Sequence, residues 1–278
     1  MSEPAPRPAT GPADDAAVPG GVGMILQERL GRTVRRLSHP DLDAASVVHE
    51  VRKDLKRIRA LLRLAAGRLP TRDAERRCAA AARALAELRD ADAALETLTR
   101  LRCRADAGDA AADLDDVEAW LTERRNAVAP GLPAPVANAV AAELDAVAGD
   151  LAELPFERLD DDCLDAGLAR ATKRSAAAFR RVVGKPRPSR FHALRKAVKR
   201  ELYQRELAGR PFDRMDRAML KNLADMLGEL QDLEVLRGLL KTDGRWRGPL
   251  KRLARTARPE MEARALRLAA ARYAELRL

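Results

Sequence analysis

The chain has 278 residues, 46% hydrophobic, 34% charged and only 3% aromatic, with a formal net charge of +10 and a pI near 10. It is long enough to bury a substantial core, as one large domain or as two closely packed repeats. No apolar run approaches the ~20 residues that span a bilayer, and the N-terminus lacks the apolar stretch of a secretory signal, so a cytoplasmic location without membrane insertion is expected.

Residues 1–22 are rich in Pro, Ala and Gly without periodicity and are expected to form a disordered tail. Beyond them Ala, Leu and Arg dominate, which favours helix, while β-branched and aromatic residues are scarce. Pro and Gly breaks divide the rest into helices near 24–38, 43–67, 72–104, 110–129, 134–152, 159–183, 189–208, 213–242 and 248–277. No strand candidate survives, and the fold class is all-α. His39 stands before Pro40 as a turn residue, and Trp120 and Trp246 are expected to pack rather than to stack on a ligand. Cys78, Cys103 and Cys163 lack metal-ligand spacing and are expected as reduced thiols in helices, so no metal or cofactor is expected.

One signature occurs twice, 143 residues apart: His49-x-x-Arg52-Lys53-x-x-Lys56-Arg57 and His192-x-x-Arg195-Lys196-x-x-Lys199-Arg200. A second pair, Leu85 to Asp92 and Leu227 to Glu234, matches at an offset of 142. Two matched segments at nearly one offset indicate an internal duplication. It pairs 43–67 with 189–208 and 72–104 with 213–242. By order, 24–38 matches 159–183 and 110–129 matches 248–277. Each repeat is then a four-helix unit, the first about 24–130 and the second about 156–278, joined by a connector about 131–155 that holds the 134–152 helix.

At ~100° per residue, Arg52, Lys53, Lys56, Arg59 and Arg63 lie within about 80° of His49, with Val51, Leu55, Ile58, Leu62 and Ala65 opposite. Arg195, Lys196, Lys199 and Tyr203 flank His192 in the same way, opposite Leu194 and Val198, and Arg57 and Arg200 edge the two stripes. Like charges at i,i+4 each cost roughly 0.2–0.5 kcal/mol, and Glu50 and Asp54 on the flank do not reach the stripe's centre, so counter-charge is expected from elsewhere, consistent with a polyanion site. Ser46 and Ser189, three residues before the histidines, are N-cap candidates, Ser189 after Pro188 the stronger, with a start near Asp41 or Asp43 as the alternative for the first helix; if both serines cap, each imidazole lies in a first turn facing the anion. Affinity would then rise as pH falls through about 6–7. Lys173, Arg174 and Lys221 are further candidates for the cationic surface, and Asp90 and Asp232, equivalent in the second motif, for orienting the signature arginines.

The paired signatures, each followed by a Leu-x-x-Leu-[Arg/Gln]-Asp helix, resemble the CHAD family (conserved histidine α-helical domain) over about residues 24–278, most closely at Phe191–Tyr203 and Leu227–Leu240. The resemblance implies two four-helix bundles related by a pseudo-twofold axis around a central basic pore that binds inorganic polyphosphate, with association to polyphosphate granules. Carried over, the pore lining would be His49, Arg52, Lys53, Lys56, Arg59, Arg63, His192, Arg195, Lys196 and Lys199. The chain departs from the family's pattern at Thr172 and Ala176, where Tyr and Arg are expected, and at Glu201-Leu202-Tyr203, where the first signature has Arg59.

The expected function is therefore non-enzymatic binding of polyphosphate, with the oligomeric state open and a homo-oligomer among the possibilities. The alternative is a helical nucleic-acid-binding protein, disfavoured by scarce aromatics and no recognised nucleic-acid motif. A triphosphate hydrolase lacks its Glu-x-Glu-x-Lys segment, a metal-dependent phosphatase lacks converging carboxylates, and a phosphoacceptor histidine suits paired, cation-flanked imidazoles less well than binding does.

Overall fold

The computed structural model describes residues 21–39, 44–85, 90–103, 111–128, 132–246 and 248–274. They form ten α-helices: α1 (Gly21–Leu37), α2 (Ala44–Ala65), α3 (Arg72–Ala84), α4 (Asp90–Arg102), α5 (Ala111–Val128), α6 (Ala134–Ala152), α7 (Asp161–Gly184), α8 (Pro188–Leu207), α9 (Arg214–Thr242) and α10 (Gly248–Tyr273), with a short 3₁₀ turn at Phe156–Arg158. No described residue is in a strand. Most of the tail expected at 1–22 lies outside the described residues, and Gly21 and Val22 already belong to α1.

Amphipathic faces assemble two apolar cores. In α2, Val51, Leu55, Ile58, Leu62 and Ala65 are fully buried, as the face opposite the cations requires. The first four join α1, α3 and α6 in the first core, to which α7 and α8 lend Leu164, Leu168 and Leu207. The second core gathers α4, α5, α9 and α10 around Phe179 and Val182 of α7 and Leu194 and Val198 of α8. The α7–α8 pair thus enters both cores, and α8 also packs along α2. Trp120 and Trp246 pack on the edge of the second core, as expected.

The structure departs from the expected helix plan in three places. The stretch 72–104 forms two elements, with Leu85 ending α3 in a turn and residues 86–89 outside the described set. No Gly or Pro marks that change. Its pieces serve different cores: Ala74, Cys78 and Leu85 the first, Ala94, Leu98 and Leu101 the second. Secondly, α6, expected as a connector, packs fully into the first core through Val140, Leu144, Val147 and Leu151. Gln27 of α1 donates to its Ala148 carbonyl at 2.8 Å. The helices α4 and α5, expected in the first repeat, instead pack with α9 and α10.

The third difference concerns helix starts. Ser46 and Ser189 are not N-caps, because α2 already begins at Ala44 and α8 at Pro188, preceded by Arg187 without a side-chain cap. Pro188 needs no N–H partner at that position, which makes a serine cap unnecessary. Aspartates cap the neighbouring helices instead: Asp160 accepts from the Cys163 amide at 2.8 Å, and Asp213 from those of Met215 and Asp216.

Candidate functional site

The site grows out of the contact between α2 and α8. Gln204 Nε2 donates to the Ala60 carbonyl at 2.8 Å, and the Arg57 guanidinium lies 5.8 Å from the centre of the Tyr203 ring. With their apolar faces committed to the cores, the cationic faces of the two signature helices are brought together. Between them lies a cleft of about 360 Å³, lined by Lys56, Arg59, Ala60 and Arg63 from α2 and by Arg195, Lys196, Lys199, Arg200 and Tyr203 from α8. Seven of these nine side chains are cationic, and both copies of the signature contribute.

The electrostatics record this crowding. Burial pushes the Arg200 guanidinium down to about 10, aided by the neighbouring charges of Arg63, Arg174 and Arg59 and opposed by Glu75. Glu75, on α3, is the counter-charge that sequence reasoning missed. Its Oε1 accepts from Arg59 Nε at 2.8 Å and forms an ion pair with Arg63 Nη2 at 2.7 Å, and its side chain is only 16% exposed. Counter-charge for the first stripe therefore comes partly from within the chain. On the flank of α2, Asp54 accepts from Arg29 at 3.1 Å and from Arg36 at 2.7 Å, tying α2 to α1. Burial also pushes the Tyr203 phenol above its ordinary value.

The CHAD domain family model matches residues 25–241. The chain belongs to the CHAD domain family. Two solved structures share the fold: the CHAD domain from the plant Ricinus communis, at 21% identity and a TM-score of 0.64 over 95% of this chain and 92% of that one, and PptA from Streptomyces chartreusis, at 18% identity and a TM-score of 0.64 over 92% of this chain and 98% of that one. No curated protein sequence matches the chain.

In this CHAD domain the remaining candidates stand around the cleft rather than on its lining. Arg52 Nη1 donates to the Ala82 carbonyl near the end of α3 at 2.9 Å, and Lys53 Nζ lies 3.5 Å from Glu50. His49 Nε2 is 3.8 Å from the same carboxylate. His192 is turned away: its Nδ1 lies 2.5 Å from Gln231 Oε1 on α9, in a separate small depression shared with Glu234, Arg258 and Glu262. Both imidazoles therefore sit beyond the first helical turn and outside the cleft's lining, because the α2–α8 contact falls nearer residues 57–60 and 200–204. Lys173 and Arg174 on α7 and Lys221 on α9 are exposed and also outside the lining, although Arg174 is near enough to depress Arg200.

Asp232 does not orient a signature arginine. It accepts from Arg100 of α4 at 3.4 Å, a consequence of α4 packing on α9. Asp90 opens α4, and its side chain lies outside the described residues. Cys78 is buried, Cys103 exposed and Cys163 half-buried, all three as free thiols. Among the described residues no three His, Cys, Asp or Glu side chains converge as a metal set, and no helix is long and apolar enough to cross a membrane.

Proposed function

We propose that this CHAD domain binds inorganic polyphosphate, without chemical turnover, in the cleft between α2 and α8. The observation that carries the reading is the convergence of seven cationic side chains from both signatures around one cleft. A polymer with about one charge per phosphate matches that lining: arginines offer paired donors and lysines compact point charges. Membership of the family supports the same ligand, and with it association to polyphosphate granules in the cytoplasm. Nucleic acid fits less well, since Tyr203 is the one aromatic ring on the lining and Arg57 already lies against it.

The test is calorimetric titration with polyphosphate of defined length, on the unaltered protein and on a Lys56→Ala, Lys199→Ala double variant. These lysines are equivalent in the two signatures and sit away from both cores. The double variant is expected to lose about tenfold or more in affinity while unfolding at the same temperature, with a shallower dependence of affinity on salt. Equal affinities would remove the cleft from the reading. A preference for single-stranded RNA at equal phosphate concentration would favour the nucleic-acid alternative, and orthophosphate release on incubation with polyphosphate would overturn the non-enzymatic part.

A further inference from the structure

Arg63 and Glu206 hold equivalent places in the two signature segments, 143 residues apart. Glu75 and Arg217 are equivalent in the helices that follow, at the offset of 142 fixed by Leu85 and Leu227. The structure joins each pair by the same bridge with its polarity reversed. Arg63 Nη2 is 2.7 Å from Glu75 Oε1, and Arg217 Nε donates to Glu206 Oε1 at 3.1 Å. In the first pair the cation stands on the signature helix and lines the cleft. In the second the signature helix carries the acid, with only 9% of the Glu206 side chain exposed.

A neighbouring position changes in the same sense, because Arg59, which also lines the cleft, is matched in the second signature by Leu202. Two cations of the first signature helix thus correspond to an acid and a buried apolar residue in the second. The cleft follows this difference, running along Arg63, Arg195 and Lys196 and leaving out Arg52, Lys53 and Glu206. Glu206 is near enough to Tyr203 to help push its phenol up, and its carboxylate would repel a phosphate chain there, whereas Glu75 spans Arg59 and Arg63 and restricts both guanidiniums while they face the opening.

Resting on the polyphosphate reading, we infer that the anion is gripped on one side of the α2–α8 contact only, and that the polarity of the two bridges decides which side. Glu75 acts as a positioning residue for Arg59 and Arg63, and Glu206 closes the opposite side to phosphate.

Bridge swapping tests this. R63E/E75R gives the first half the polarity of the second, and E206R/R217E does the reverse; both preserve net charge and the chance to form a bridge. Titrated with long-chain polyphosphate, R63E/E75R is expected to bind roughly tenfold more weakly, with a salt slope smaller by about one. E206R/R217E is expected to bind more tightly, with a salt slope larger by about one. Circular dichroism melts confirm that each variant is folded. Should R63E/E75R melt early, R63Q/E75Q, which also leaves net charge unchanged, carries the same expectation of weaker binding. Unaltered affinity in the folded R63E/E75R or R63Q/E75Q protein overturns the inference, as does E206R/R217E binding no more tightly than the unaltered protein. Absence of polyphosphate binding by the unaltered protein would instead sink the functional reading beneath it.

Discussion

Gln204 on α8 and the carbonyl of Ala60 on α2 are joined by a buried hydrogen bond of 2.8 Å, a polar tie across the contact that frames the cleft. Ala60 itself lines the cleft, so the tie fixes the spacing of the two cationic faces. Gln204→Ala is expected to cost about 1 kcal/mol in urea unfolding, the net value of such a bond. It should also weaken polyphosphate binding although it removes no charge. A variant with normal affinity would show that the helix spacing is set by apolar packing alone.

Two buried acids hold the bundle together in different ways. Glu201 is wholly buried, accepts from Tyr273 at 2.9 Å and Thr172 at 3.0 Å, and lies 3.4 Å from Arg272 and 3.5 Å from Arg205. Asp54, 2% exposed, serves Arg29 and Arg36. Removing one partner of a buried pair leaves an uncompensated charge, so Glu201→Ala and Asp54→Ala should each cost about 3–5 kcal/mol. Arg76→Ala, which breaks an exposed bridge to Asp73, should change stability by less than about 1 kcal/mol. Urea titrations of the three variants make the comparison.

The cationic and apolar faces of α2 and α8 could be read directly from the sequence, because a 3.6-residue period separates Lys56 and Arg63 from Leu55 and Leu62 without reference to any partner. Partners were not legible. Glu75 has an acid's ordinary place in a first turn, and the position 142 residues on is Arg217, so the paired motifs did not point to it. The split between α3 and α4 carries no breaker residue, and the helical pattern of α6 says nothing about which core receives it. The histidines stood out through repetition, but His192 meets Gln231 and not the cleft, since position along the helix relative to the α2–α8 contact is a tertiary fact.

Arg200 shows what crowding cations into one cleft costs. Burial, together with Arg63, Arg174 and Arg59, disfavours its charge, and a bound anion would relieve that cost. Arg200→Met should therefore make the ligand-free protein more stable while weakening polyphosphate binding, a trade of stability against function. For the unaltered protein, polyphosphate at about 100 times its Kd should add about 2.7 kcal/mol to unfolding. Thermal melts with and without ligand check both statements. A ligand-free Arg200→Met protein less stable than the unaltered one would mean that the arginine's packing outweighs the repulsion.

His192 supplies a pH test that is separate from the cleft. Burial lowers its pKa below the ordinary ~6.5, helped by the charges of Lys196 and Arg195 and opposed by the hydrogen bond to Gln231. The unfolded chain therefore takes up this proton more readily than the folded one. As pH falls below about 6.5, the stability contributed by the neutral ring is lost down to the lowered value and then levels off. His192→Gln should remove that component, so the stability difference between the two proteins shifts against the unaltered chain between pH 7.5 and 5.5. Urea unfolding at both pH values measures it, with Glu234, Glu262 and Arg258 of the same depression present in each protein. The substitution should change polyphosphate affinity far less than the paired lysine variant does. A loss as large as that of the lysine variant would place the imidazole against the ligand after all.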